Sequence, residues 1–164
     1  MPPFRTTSSP GNGWTEVLRV RDSFTVNAPV ETVWEFLQDI PRVAACMPGL
    51  ESVQQTGPDE YTAEFKVGVG PVKATFVGRA TIVQRKPPER IEAKIEGQDP
   101  GSATSVKADF SGELSSVEGG TQMEVVMEIA LRGRLAQFGS AVMLATSKKL
   151  TAKFAECMRR AITP

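Results

Sequence analysis

Residues 133–162 read GRLAQFGSAVMLATSKKLTAKFAECMRRAI, and the reading of this stretch decides the fold. It holds no proline, and its alanines, leucines, lysines and arginines favour helix along nearly its whole length. From Leu135 to Ala161 such a helix spans roughly 40 Å at about 1.5 Å per residue. A helix that long in a small domain has to lie across something broad. Its character changes midway. From Leu135 to Ser147 there is no charge, and small residues are interleaved with Leu135, Phe138, Val142, Met143 and Leu144. From Lys148 onward Leu150, Phe154, Cys157, Met158 and Ala161 share one face, and lysines, arginines and Glu156 take the other. The second half predicts a helix with one side on a core and one in water. The first half is apolar nearly all round and needs cover on more than one side.

The sequence before the helix supplies the broad partner. Alternating apolar residues predict a strand over Glu16–Ala28, closed by Ala28-Pro29. A short helix follows over Pro29–Leu37, then a second, opened by Asp39 and Pro41 and ended by Pro48-Gly49. Six further strands follow, divided by Gly57-Pro58-Asp59, Gly70-Pro71, Lys86-Pro87-Pro88, Asp99-Pro100-Gly101 and Glu118-Gly119-Gly120. Period-two patterning with turn residues between the runs signals an antiparallel meander. The fold class is therefore α+β: a seven-stranded curved antiparallel sheet wrapped round a long C-terminal helix, with two short helices after the first strand. Residues 1–13 are expected to be a disordered lead-in, and 14–164 a single domain.

Inward positions of the strands include Ala63, Ala74, Gly78, Ala80, Ala93, Gly97, Ala108 and Gly112. So many small side chains imply an apolar cavity against the helix, because interiors otherwise fill to crystal-like density. The other reading is that the glycines are bulges that let the sheet curl. Phe65, Phe76, Ala80, Phe110, Met123, Met127, Ile129, Leu135, Phe138 and Val142 are the side chains expected around a ligand, each also serviceable as plain core. Met47, with Pro48 and Gly49, is expected at the lip of the mouth, near the N-terminus of the long helix. The set suits an isoprenoid or other flat apolar molecule.

Composition narrows the chemistry. Of 164 residues none is histidine, which removes the usual general base, the usual zinc or iron ligand and the Ser-His and Cys-His nucleophile pairs. No catalytic or metal-binding residue is assigned. Cys46 and Cys157 read as buried thiols rather than a disulfide. Asp22, on the inward parity, reads as a carboxylate at a strand edge or paired with an arginine. Glu60, Glu64, Glu92, Glu96, Glu124 and Glu128 read as a solvated sheet face. VGVGPV is a hairpin turn, lacking the Lys-Ser/Thr of a phosphate loop. Net charge is zero, so nucleic acid is not an expected partner. The charge is unevenly spread, with seven Lys/Arg against one acid in residues 132–164. No apolar run approaches the ~18 residues a membrane span needs, and the N-terminus lacks the apolar centre of a signal peptide. The expected location is the cytoplasm.

FTVNAPVETVWEFLQDIPRVAACMPGLESV, residues 24–53, resembles the N-terminal signature of the carbon monoxide dehydrogenase G-subunit family. LRGRLAQFGSAVM, residues 131–143, resembles its second signature. The order of elements is similar to the helix-grip fold of START and Bet v 1-like (SRPBCC) proteins, and the likeness covers about residues 20–162. The resemblance implies a non-catalytic accessory protein that accompanies a molybdenum-containing carbon monoxide dehydrogenase or related hydroxylase. It implies recruitment of that enzyme to the inner face of the cytoplasmic membrane by peripheral contact. In some members it implies a quinone bound in the cavity, so that a bound quinone or lipid, and no covalent cofactor, is expected. Members often continue into a linker and a membrane-contacting tail, whereas this sequence ends at Pro164, a departure that bears on direct membrane attachment. An assembly factor without a small-molecule ligand and an enzyme acting on an apolar substrate are the alternatives.

Overall fold

A computed structural model describes residues 17–162. The expected lead-in and the first residue of the expected first strand, Glu16, lie outside the described residues. The elements are β1 (Leu18–Val26), α1 (Val30–Gln38), α2 (Ile40–Cys46), β2 (Leu50–Gly57), β3 (Glu60–Val69), β4 (Val72–Lys86), β5 (Arg90–Asp99), β6 (Thr104–Val117), β7 (Gly120–Arg132) and α3 (Ser140–Ile162). The strands form one seven-stranded sheet in the order β1-β7-β6-β5-β4-β3-β2, every neighbouring pair antiparallel. The β2 to β7 meander follows from its short turns, and α1 and α2 carry the chain from one sheet edge to the other. This is the helix-grip architecture the patterning predicts.

The long helix departs from expectation at its start. Arg134–Phe138 is a 3-10 turn, and α3 begins at Ser140 after Gly139, whose φ is 85°. The cause lies upstream. Gly133 has φ 112°, and a Cβ there would stand 1.9 Å from the Ala103 carbonyl oxygen. The chain therefore leaves β7 pressed against the β5–β6 connection and cannot enter a helix directly. Leu135 is instead plugged into the core at 1% exposure, its N–H donating to Thr104 Oγ1 at 3.1 Å.

Buried apolar side chains gather in three groups. Val33, Phe36 and Leu37 of α1 meet Val26, Leu114, Met123 and Met158. Val20, Ala108, Ile129 and Leu131 form a second group with Met127, Ile95 and Met143 against them. Val69, Ala74 and Leu135 form the third, with Phe76, Phe138, Val142 and Met143. Met143 is thus half-buried between two groups rather than presented outward, while Leu144 is 36% exposed.

The cysteines are not thiols. Cys46, the last residue of α2, is disulfide-bonded to Cys157 of α3 across a sequence separation of 111. Arg42 of α2 adds a second tie, donating to the Ala161 carbonyl at 3.2 Å. Because Cys46 is held to the C-terminal part of α3, Met47–Gly49 lies at that end of the helix and not at its N-terminus, as the sequence reading has it.

On the outer sheet face Glu92 is the exception to the solvated ladder. It is 7% exposed, covered by Arg90, whose Nε lies 2.6 Å from it and whose second nitrogen lies 2.7 Å from Glu113. Glu60 and Glu96 are exposed, and Glu64, Glu124 and Glu128 are half-buried. Asp22 sits on the edge strand β1 and accepts from the Ser23 N–H at 2.9 Å.

Candidate functional site

Strand register lays the inward residues out in rows. One row runs Gln55–Tyr61–Ala80–Ile95–Ala108–Ile129–Leu18, from one edge of the sheet to the other. A neighbouring row carries Val53, Ala63, Gly78, Gly97, Val106 and Leu131. Towards the β1 side these rows hold the buried Ala108, Ile129 and Leu131 beside half-buried Leu18 and Val106. On β3, β4 and β5 Ala63, Ala80 and Ile95 of these rows, and Phe65, Phe76 and Ala93 of the rows beside them, are half-buried, while Ala74 is buried. The α3 backbone comes nearest the sheet at β1 and at β3. A helix packed down on the central strands would close off alanine methyl groups completely. Here solvent reaches Ala63, Ala80 and Ala93.

The residues singled out from the sequence fall into separate places. Phe76, Leu135, Phe138 and Val142 come together, with Phe138 over Gly70. Met127 and Ile129 belong to the group beside β1, and Phe110 and Met123 to the group beneath α1. Phe65 faces Phe76 across β3 and β4, and Ala80 faces Tyr61 and Ile95. Met47 is 37% exposed at the C-terminal end of α2.

The inward glycines contribute less space than their number suggests. A Cβ on Gly78 would stand 2.1 Å from the Glu96 carbonyl oxygen, so this position is a close approach of two strand backbones. At Gly112 the neighbouring Met123, Phe110 and Ile91 side chains already fill the space.

Sequence reasoning missed a groove at the rim of this face. It has a volume of about 400 Å³ and is lined by Ile40, Pro41, Ala44 and Ala45 of α2 and by Leu50, Glu51, Ser52, Val53, Gln55 and Tyr61 of β2 and β3. Val53, Gln55 and Tyr61 belong to the inward rows, which makes the groove the open margin of the concave face. The signal was present in IPRVAA, where two adjacent alanines leave a helix too slim to close against a strand.

Strand alternation also gives no sign of one buried carboxylate. Asp99, 7% exposed, accepts from Ser102 Oγ at 2.7 Å and from the Gly101 N–H at 3.1 Å. The Ser102 hydroxyl, helped by backbone N–H groups of Gly101, Ser102 and Thr75 and opposed by burial, holds the carboxyl below its ordinary range. Ser102 and Thr104 are themselves hydrogen-bonded at 3.0 Å, and Thr104 receives the Leu135 N–H. The network is structural, because it fastens the turn that precedes α3. Among the described residues no group of three His, Cys, Asp or Glu is placed to hold a metal ion, and no helix is long and apolar enough to cross a membrane.

Comparison with known proteins places this geometry in context. The sequence family described as the G subunit of carbon monoxide dehydrogenase (CoxG) matches residues 23–163. No curated protein matches. Among solved structures, a conserved protein from Geobacillus kaustophilus superposes with a TM-score of 0.78 at 22% identity, covering 88% of this chain and 95% of that one. The Zhui aromatase/cyclase from Streptomyces sp. R1128 gives 0.63 at 19% identity, covering 90% and 98%. The protein Ara h 8.0201 gives 0.63 at 14% identity, covering 89% and 97%. At these identities the structural likeness concerns the fold.

Proposed function

The chain belongs to the carbon monoxide dehydrogenase G-subunit (CoxG) family, and from that premise we propose that it is a non-catalytic accessory protein. In this reading it holds an apolar molecule, a prenylated quinone or similar lipid, between sheet and helix, and brings a molybdenum carbon monoxide dehydrogenase-type hydroxylase to the cytoplasmic membrane. The observation that supports the ligand half is the half-buried apolar surface of β3 to β5, reached from the groove beside α2 through Tyr61, which pairs with Ala80. Uncovered apolar surface inside a fold is unfavourable by about 25 cal/mol per Å² relative to burial, and a greasy occupant removes that deficit.

The same fold serves an aromatase/cyclase, so an enzymatic reading has to be weighed. Acid–base chemistry needs convergent polar groups at the reacting atoms. On the concave face the rows through Ala63 and Ala80 present apolar side chains, with Tyr61 and Gln55 at the rim. That distribution supports a carrier over a catalyst.

The test is organic extraction of protein purified from a quinone-producing host, followed by mass spectrometry. A stoichiometric prenylated quinone is the expected result. A clean extract together with co-purification of the hydroxylase would favour an assembly factor that takes no small molecule.

A further inference from the structure

The rim groove has one wall that the sheet does not hold. Helix α2 is seven residues long, and a helix that short is marginal in water without packing to support it. Ile40, Pro41, Ala44 and Ala45 border the open groove, so that side of α2 supplies little support. Of its seven residues only Cys46 is buried. Val43 adds a half-buried contact with the group beneath α1. What fixes α2 from the other side is α3, through the Cys46–Cys157 bond and the Arg42 donation to the Ala161 carbonyl at 3.2 Å.

Each end of α2 is a pivot beside an anchored point. Before it, Val33, Phe36 and Leu37 bury α1, and Gln38 accepts from Arg85 Nε at 3.0 Å. The chain then breaks at Asp39, whose φ of −89° and ψ of 87° lie outside the helical range. Beyond α2, Gly49 has φ 87°, and its carbonyl accepts the Lys66 N–H of β3 at 2.8 Å. Residues 39–48 thus form a strap pinned to the sheet at both ends and to α3 between them.

The α3 pin is chemically reversible. Cys46 is 6% exposed, whereas Cys157 is half-buried, so an attacking thiolate reaches Cys157 Sγ first. Attack there forms a mixed disulfide on Cys157 and expels the Cys46 thiolate, which takes a proton. The second thiol of a dithiol reductant then displaces Cys157 as its own thiol and closes the reductant's disulfide. Two electrons pass from the dithiol to the cystine, and two protein thiols remain.

Resting on the carrier reading for its purpose, we propose that the Cys46–Cys157 bond is a redox latch on the groove. Oxidised, it holds α2 against α3 and fixes the width of the groove. Reduced by a dithiol, it frees residues 39–48 to swing on Asp39 and Gly49, and the way past Tyr61 to Ala80 widens. Loading and release of the apolar molecule then follow the thiol–disulfide state of the surroundings.

The experiment compares the whole chain, oxidised and treated with dithiothreitol, with a variant carrying both Cys46→Ser and Cys157→Ser, each confirmed as folded by circular dichroism. Amide hydrogen exchange is read as the ratio of α2 to α1, which cancels a loss of global stability, and uptake of the neutral dye Nile red is timed by stopped flow. On reduction the exchange ratio should rise roughly tenfold or more, as for a segment released to open locally, and dye uptake should quicken by a similar factor. The double variant should match reduced wild type and ignore dithiothreitol. If α1 and α2 speed up by the same factor, the bond stabilises the fold as a whole and the latch is overturned. An unchanged ratio, with dye entering both states at one rate, would also overturn the latch and leave the carrier reading standing. A raised ratio with dye uptake unchanged would overturn the gating of the groove. A raised ratio with no dye bound in either state would overturn the carrier reading and leave the latch on α2 in place.

Discussion

Cys46 and Cys157, 111 residues apart in sequence, are covalently joined with their Cα atoms 5.4 Å apart. The bond fixes α2, one wall of the rim groove, to the distal part of α3. It closes most of the chain into a single loop. In the chain-entropy account a loop of that length stabilises the fold by about 4–5 kcal/mol, and typical measured values are about 2–4. Cys46→Ser and Cys157→Ser should each lower stability by about 2–4 kcal/mol in urea titrations, and reductant should do the same to wild type. A wild-type curve that ignores reductant would show that the thiols are free in solution.

Ala80 sits in the middle of the accessible row, facing Tyr61 and Ile95. Ala80→Trp should fill the space over β4 and abolish uptake of an apolar probe, with the circular dichroism spectrum unchanged. Binding at wild-type strength would mean that the ligand does not occupy this face.

Leu144 is exposed near the start of α3, one turn before Lys148 and Lys149. Leu144→Glu should weaken association with anionic vesicles or with the hydroxylase. Stability should change by no more than about 0.5 kcal/mol, as for most surface substitutions. Unfolding of this variant would place Leu144 in the core and end the idea of a contact patch.

Asp99 gives the pH dependence a direction. Its carboxyl titrates below the ordinary range when folded, so the unfolded chain takes up the proton first as pH falls. The stabilisation is complete above the unfolded value of about 3.9 and is lost as pH falls through the folded value. Asp99→Asn should cost about 1–3 kcal/mol at neutral pH through its disturbed hydrogen bonds and should flatten the acid limb of the stability profile. An acid limb identical to wild type would assign that limb to other carboxylates.

Much of this architecture can be read from the order of residues alone. Each strand of the meander ends at a Gly or Pro pair whose backbone limits are local, which is why Gly57-Pro58, Gly70-Pro71 and Gly119-Gly120 mark true turns. The start of α3 is not local. A lone glycine within a helical run costs only about 1 kcal/mol, too little to move a boundary by itself. What moves it is Gly133 lying on Ala103, a contact between segments thirty residues apart. The disulfide depends on the same kind of long-range meeting. The rim groove was hidden for a simpler reason: alternation describes how strands face a core and says nothing about where a short helix fails to close.

The sheet begins with β1 and ends with β2, so it is a gutter with a slot along one side, stopped by the two short helices. Capacity is therefore adjustable without touching a strand. Bulkier side chains at Ala44 and Ala45 would narrow the slot, and a longer α2 would prop it wider, so the bore of this vessel is set by its stopper.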